Sequence, residues 1–235
     1  MTTAPRIVLI HAVEVAIAPV HATFAETWPE ARLVNLFDDS LSPDRAAEAE
    51  LTPRMSGRIR ALARYAADTA ADGILFTCSA FGPAIEAAAD ELAPLPVLKP
   101  NEAMFAAALD AGRRIGMLAT FAPAAATMEQ EFAEAAAHAR RPEAALRTIV
   151  VEPAMAALRK GDAETHNRLL AEAAPALADC DAVMLAHFST SRALPAVSAA
   201  LPGRRVLTAP VAAVEALRAA LSARPSAGAA ARAGR

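Results

Sequence analysis

The chain has 235 residues, 55% of them hydrophobic, enough to bury one large core or two small ones. Its 26 acidic and 23 basic residues give a net charge of -3 with no basic block, which argues against nucleic acid as a partner. No apolar run approaches the ~20 residues of a membrane helix, and Met1-Thr2-Thr3-Ala4-Pro5 carries no signal-peptide pattern, so the expectation is a cytoplasmic protein without a membrane partner.

Arg6-Ile7-Val8-Leu9-Ile10-His11 is a short, continuous apolar run and reads as a buried parallel strand. A helix follows from Pro19 to Trp28, then a strand at Leu33-Val34-Asn35-Leu36-Phe37. Ser42-Pro43-Asp44 starts a helix, or a broken pair around Pro53, that runs to about Ala71. Ile74 to Thr77 is the third strand, Pro83 to Leu92 a helix, and Val97-Leu98 a short fourth strand. A second round then begins. Asn101-Glu102 opens a helix that Gly112 ends. Arg114 to Ala119 is a strand, Pro123 to Ala139 a helix and Leu146 to Val151 a strand. Asp162 caps a helix running to about Leu177. Ala182 to Ala186 is a strand, Ser191 to Leu201 a helix, Val206-Leu207 a strand, and Pro210 to Leu221 a helix. Both cysteines, Cys78 and Cys180, adjoin buried strands. This reads as two free thiols in a reducing compartment, without a structural disulfide.

The two rounds repeat one device. Asp72 precedes Cys78 by six residues, and Asp181 precedes His187 by six. Pro96-Val97-Leu98-Lys99 follows the first, as Arg205-Val206-Leu207-Thr208 follows the second; Val97 and Val206 each lie nineteen residues beyond the reactive position. Strands alternating with helices mean parallel α/β units. The expected fold class is therefore α/β, with two pseudo-symmetric parallel-sheet (Rossmann-like) lobes and an active site in the cleft between them. Lobe one is expected at 1–98 plus 204–223, the last strand returning to complete its sheet. Lobe two is expected at 99–203, and 224–235 as a frayed tail.

Ligands in such sheets bind outside the carboxyl ends of the strands. The polar residues expected there are His11, Asn35 to Asp39, Thr77-Cys78-Ser79, Lys99, Thr120 and His187-Phe188-Ser189. Cys78 stands out, because a thiol near a helix N-terminus feels the positive end of the dipole and ionises more readily. His187 occupies the matching place in the second lobe. A thiol and an imidazole facing one ligand from opposite sides is the arrangement that two-base proton transfer requires. His11, Thr77, Ser79, Thr120 and Ser189 are expected to bind substrate, their donors lying beside helix-end amides suited to a carboxylate. Phe81 and Phe188 flank the two reactive positions and point to a partly apolar substrate group.

Other readings are weaker. Asp162 and His166 are spaced as metal ligands, but no second pair accompanies them, and a cap plus a surface histidine explains them. Lys99 has the chemistry of a Schiff-base lysine without a glycine-rich phosphate loop. No metal and no cofactor are therefore expected. The expected partner is a small carboxylate; a homo-oligomer is compatible with the sequence.

At these residues the chain resembles the aspartate/glutamate/hydantoin racemase superfamily, which includes maleate isomerases and arylmalonate decarboxylases. The resemblance spans nearly the whole chain. It rests on Leu9-Ile10-His11, Asp39-Ser40-Leu41, Thr77-Cys78-Ser79 with Phe81-Gly82-Pro83, Glu102-Ala103-Met104, Ile115 to Thr120, Gly161-Asp162 with His166, and Val183 to Ala186. It implies two similar lobes and cofactor-independent proton transfer between two opposed cysteines. Cys78 matches the first cysteine position; His187 stands where the second belongs, and Cys180 precedes its strand instead of ending it. The implied activity is a racemase or isomerase acting at the carbon α to a carboxylate. A single-cysteine decarboxylase or cis-trans isomerase, a Cys-His hydrolase and a non-catalytic carboxylate binder are the alternatives.

Overall fold

The computed structural model describes residues 4–223. The expected frayed tail at 224–235 lies outside them. Eight strands form two four-stranded parallel sheets. The first contains β1 (Arg6–His11), β2 (Arg32–Phe37), β3 (Gly73–Phe76) and β4 (Val97–Leu98), in the order β2-β1-β3-β4. The second contains β5 (Arg114–Ala119), β6 (Ala145–Val150), β7 (Ala182–Leu185) and β8 (Arg205–Thr208), in the order β6-β5-β7-β8. The registers correspond: Ile7 lies opposite Gly73 in the first sheet, and Ile115 opposite Ala182 in the second.

The last strand departs from the expectation. β8 pairs with β7, Val183 against Val206 and Met184 against Leu207, and does not complete the first sheet. The repeat supplies the reason, since β4 adds to β3 in the same way, Ile74 against Val97 and Leu75 against Leu98. What returns to the first lobe is the terminal helix. In chain order the helices are α1 (Ile17–Thr27), α2 (Leu41–Ala46), α3 (Pro53–Asp68), α4 (Gly82–Leu92), α5 (Glu102–Ala111), α6 (Ala122–His138), α7 (Glu152–Arg159), α8 (Ala163–Ala173), α9 (Leu194–Ala200) and α10 (Ala209–Ala223). α10 packs on α1, α5 and β3. It comes so close to β3 that a Cβ on Gly73 would lie 2.9 Å from a Leu217 methyl.

Strand alternation decides where the cores sit. Ile7 and Leu9 of β1, Ile115 and Met117 of β5, and Met184 of β7 enter one central core with Val20, Phe24, Phe105, Val214 and Leu217. Val8, Ile10, Ile74 and Phe76 point the other way, into a core under α3 and α4. Leu118, Val183 and Leu185 do the same under α8 and α9. The central core draws on both sheets, so apolar burial joins the two lobes.

Each sheet has a switch point. After β1 the chain moves out to β2, then crosses to the other side of β1 to lay down β3. A crevice opens there, at the carboxyl ends of β1 and β3, and its counterpart lies at the ends of β5 and β7. Helix α7 was not foreseen: Ala dominates its sequence, so an apolar stripe is hard to see. Ala154 and Leu158, four residues apart, are nevertheless its buried face.

Candidate active site

The two crevices meet in one cavity of about 450 Å³. Thr77, Cys78 and Ser79 line it from the end of β3, and Ala186, His187, Phe188 and Ser189 from the end of β7. Cys78 and His187 occupy equivalent backbone positions. Each is extended (φ -121°, ψ 126° and φ -125°, ψ 156°), and each precedes a 3₁₀ turn, Ser79–Phe81 or Phe188–Ala193. The acidic residues that open the device are structural. Asp72 accepts the Arg6 N–H at 2.7 Å, and Asp181 accepts those of Arg113 and Arg114, both at 2.9 Å. They tie the start of the strand carrying the reactive residue to the start of its neighbour.

Two expected ligand contacts fall outside the lining. His11 is fully buried behind Thr77, with Nδ1 2.9 Å from Thr77 Oγ1 and Nε2 2.9 Å from Asn35 Oδ1. Burial lowers its pKa and keeps it neutral. The Asn35 carbonyl accepts from Nε2–H, so the Thr77 hydroxyl donates to Nδ1. His11 therefore orients Thr77, and does so because a strand's last inward side chain faces the core. Thr120 is also buried, its hydroxyl has no partner, and its neighbour Phe121 takes the place on the cavity wall. Phe81 belongs to the core under α3 and α4; Phe37, Phe121 and Phe188 supply the aromatic surface.

The profile of the family described as Asp/Glu/hydantoin racemase matches residues 13–220. The chain belongs to that family. Among solved structures, allantoin racemase from Klebsiella pneumoniae is 17% identical with a TM-score of 0.70, over 93% of this chain and 88% of that one. Picrophilus torridus aspartate racemase is 14% identical with a TM-score of 0.69, over 94% and 95%. A glutamate racemase isoform from Bacillus anthracis is 14% identical with a TM-score of 0.69, over 94% and 83%. At these identities the structures establish a common fold. A search of curated proteins finds no match. Family membership makes the protein a cofactor-independent racemase or isomerase acting at the carbon α to a carboxylate.

In this racemase-family cavity burial shifts Cys78 and His187 in opposite directions. Burial raises the Cys78 thiol, outweighing the Ala80 N–H and the Arg45 guanidinium that favour the thiolate. The thiol is therefore not made more acidic, against the expectation from its place before a helix; desolvation decides the direction. Burial, helped by the neighbouring His166, lowers His187 to about 4. At neutral pH the site therefore holds a protonated thiol and a neutral imidazole.

Three lining residues were missed. Arg45 lies on α2, its Nε donating to the Ala80 carbonyl at 3.3 Å and its Nη1 to that of Glu48 at 2.9 Å. Arg159 lines the cavity from the end of α7. Both sit on helices that follow edge strands, so a search confined to strand ends passed over them. Asn101, read as a helix start, is buried and lines the cavity. Lys99 is committed elsewhere: burial would lower its pKa, but pairing with Glu86, and with Glu102 at 3.1 Å, raises it. A Schiff base needs the opposite shift. Among the described residues no cluster of His, Cys, Asp or Glu could hold a metal, and no helix is long and apolar enough to cross a membrane.

Proposed function

We propose that Cys78 and His187 carry protons to and from opposite faces of the carbon α to a bound carboxylate. The observation that best supports this is that both line one cavity, each at the end of the equivalent strand of its sheet. In the forward direction His187 removes the α-proton and the Cys78 thiol delivers one to the other face. Their resting states are the required base and acid. Ser79, Ser189 and the adjoining amides hold the carboxylate as negative charge develops on it, and Asn101 adds a donor. Arg45 and Arg159 favour a substrate with a second anionic group, as in the glutamate and aspartate of the racemases similar in fold. The two cysteines are unpaired, which fits a reducing cytoplasm.

The test is α-proton exchange in D₂O across amino acids, hydantoins and substituted malonates. Deuterium should enter the α-position with inversion and without release of CO₂. Cys78→Ala should lower turnover by ~10²–10⁴-fold while remaining folded; wild-type activity in that variant sinks the reading. A second reading, a single-thiol decarboxylase or isomerase, is favoured by one observation: His187 Nε2 is buried without a hydrogen-bond partner. Release of CO₂, or alkene isomerisation that survives His187→Ala, would select it.

A further inference from the structure

Cys78 and His187 stand in equivalent places, but the residues just before them do not match. The Thr77 N–H donates to the Ile10 carbonyl at 3.0 Å, and the Ala186 N–H to the Leu118 carbonyl at 2.9 Å, so Thr77 corresponds to Ala186. By the same register His11, which follows Ile10, corresponds to Ala119, which follows Leu118. The first sheet therefore brings an imidazole and a hydroxyl together where the second brings two methyl groups. The second sheet forms with alanines in both places, so neither strand pairing nor core packing requires the polar pair. Thr77 and Ala186 both line the cavity.

The hydrogen bonds behind Thr77 fix what its hydroxyl does. His11 is fully buried, and burial keeps its ring neutral. Its Nε2 lies 2.9 Å from Asn35 Oδ1, which also accepts from His21 Nε2 at 2.8 Å. A carbonyl oxygen only accepts, so Nε2 carries the ring proton and Nδ1 is a lone pair. Nδ1 is 2.9 Å from Thr77 Oγ1 and takes the hydroxyl proton. The Ile10 carbonyl is a poorer acceptor for that proton, at 3.4 Å. Donation to it would also move the ring proton onto Nδ1, leaving a bare Nε2 against a carbonyl oxygen. A hydroxyl has one proton. With that proton committed to His11, Thr77 Oγ1 can offer a ligand an acceptor and no donor.

We propose that Thr77 is a specificity-determining residue: it selects substrates with an N–H on the carbon α to the carboxylate, an ammonium or a ring amide. Substrates with a hydrocarbon group there leave the Thr77 oxygen unpaired and are rejected. His11 is the positioning residue that keeps the hydroxyl proton turned away from the ligand. The proposal rests on the reading that the α-carbon lies between Cys78 and His187. The carboxylate needs donors and takes the serine hydroxyls and backbone amides; the α-nitrogen has donors to give and takes Thr77. Because Ala186 offers no acceptor at the matching place, the nitrogen binds on the Cys78 side of the cavity.

Two measurements test this. The first is a long-range ¹H–¹⁵N spectrum of the ¹⁵N-histidine-labelled protein at neutral pH. His11 signals are assigned by elimination, with single His→Gln variants at the other four histidines. His11 should be neutral and protonated on Nε2; protonation on Nδ1 overturns the proposal. The second is ligand binding, read from the rise in melting temperature, which needs no turnover. The probes are amino acids and hydantoins, each beside an isostere with a methyl or methylene group in place of the α-nitrogen. The N–H ligand should bind about 10–100-fold more tightly than its isostere, the worth of one hydrogen bond to a charged or desolvated group. Thr77→Val keeps the side-chain shape without the acceptor and should abolish that preference, whereas Thr77→Ser should retain it. A preference shown by amino acids alone, or by hydantoins alone, supports the proposal and identifies the N–H as ammonium or ring amide. Equal binding of N–H ligands and isosteres, or a preference that survives Thr77→Val, overturns it. If wild type exchanges α-protons in D₂O without the preference, the proton-transfer reading stands and this one fails. If the preference is present and no α-proton exchanges, the proton-transfer reading fails and the role of Thr77 stands.

Discussion

At the scale of single residues, burial displaces the Cys78 thiol and the His187 imidazole from their solution behaviour in opposite directions. The direction of each shift predicts the pH profile of kcat/KM. On the proposed reading activity needs neutral His187, so it should rise as pH passes about 4. It also needs the Cys78 thiol, so it should fall only above the ordinary thiol range, because burial raises that pKa. A profile centred instead on the unperturbed histidine value of ~6.5 would mean that His187 is solvated when it works. Cys180→Ala should retain activity. Cys180 lies just before β7, at the opposite end of the strand from His187, and a folded but inactive variant would assign the chemistry to the wrong thiol. Cys78 and His187 were legible in the sequence because strand-end placement and the repeat both marked them. Arg45, Arg159 and Asn101 were not. Their roles depend on where α2, α7 and α5 come to rest, and no local pattern encodes that.

At the scale of elements, the six-residue step from acid to reactive residue is a strand with an anchor at its foot. Gly112 shows how tightly the second anchor is fitted. A Cβ there would lie 2.4 Å from both Cβ and Oδ2 of Asp181. The carboxylate cannot move aside without losing the N–H groups of Arg114 and Arg113, the bonds that lower its pKa to about 2. Gly112→Ala should therefore destabilise the protein by ~1–3 kcal/mol despite the entropic gain of removing a glycine. Chemical denaturation at neutral pH measures this. The anchor is at full strength there and weakens only as pH falls toward about 2. Strand boundaries were readable because continuous β-branched runs have few alternatives. The expectation that β8 completes the first sheet fails because β8 repeats the role of β4, each adding to the strand that leads to the reactive position.

At the scale of the whole molecule, the lobes meet through side chains as well as through the shared core. Glu131 of α6 reaches the start of α4, where a Cβ on Gly82 would lie 2.1 Å from its Oε1. Burial raises Glu131 to about 7, against the pull of Lys99 and Asn101. A carboxyl whose folded pKa lies above its unfolded value costs stability once ionised. Wild-type stability should therefore fall as pH rises from about 4.5 to about 7, by an amount on the order of 2 kcal/mol. Glu131→Gln should flatten that slope in denaturation curves taken between pH 5 and 8; an unchanged slope would locate the titration elsewhere. The central core has a broader consequence. Ile7, Leu9 and Leu75 from one half of the repeat, and Ile115, Met117 and Met184 from the other, exclude water only when both halves are present. The protein should then unfold in a single cooperative step. The fluorescence of Trp28, in the first half, should change at the same denaturant concentration as the far-UV signal of the entire chain. A chain cut after residue 98 would expose half of that core and should aggregate instead of folding. The duplicated pattern is thus visible in the sequence but has no independent thermodynamic life: neither half is a domain in the sense of something that can stand alone, and damage to one is inherited by the other.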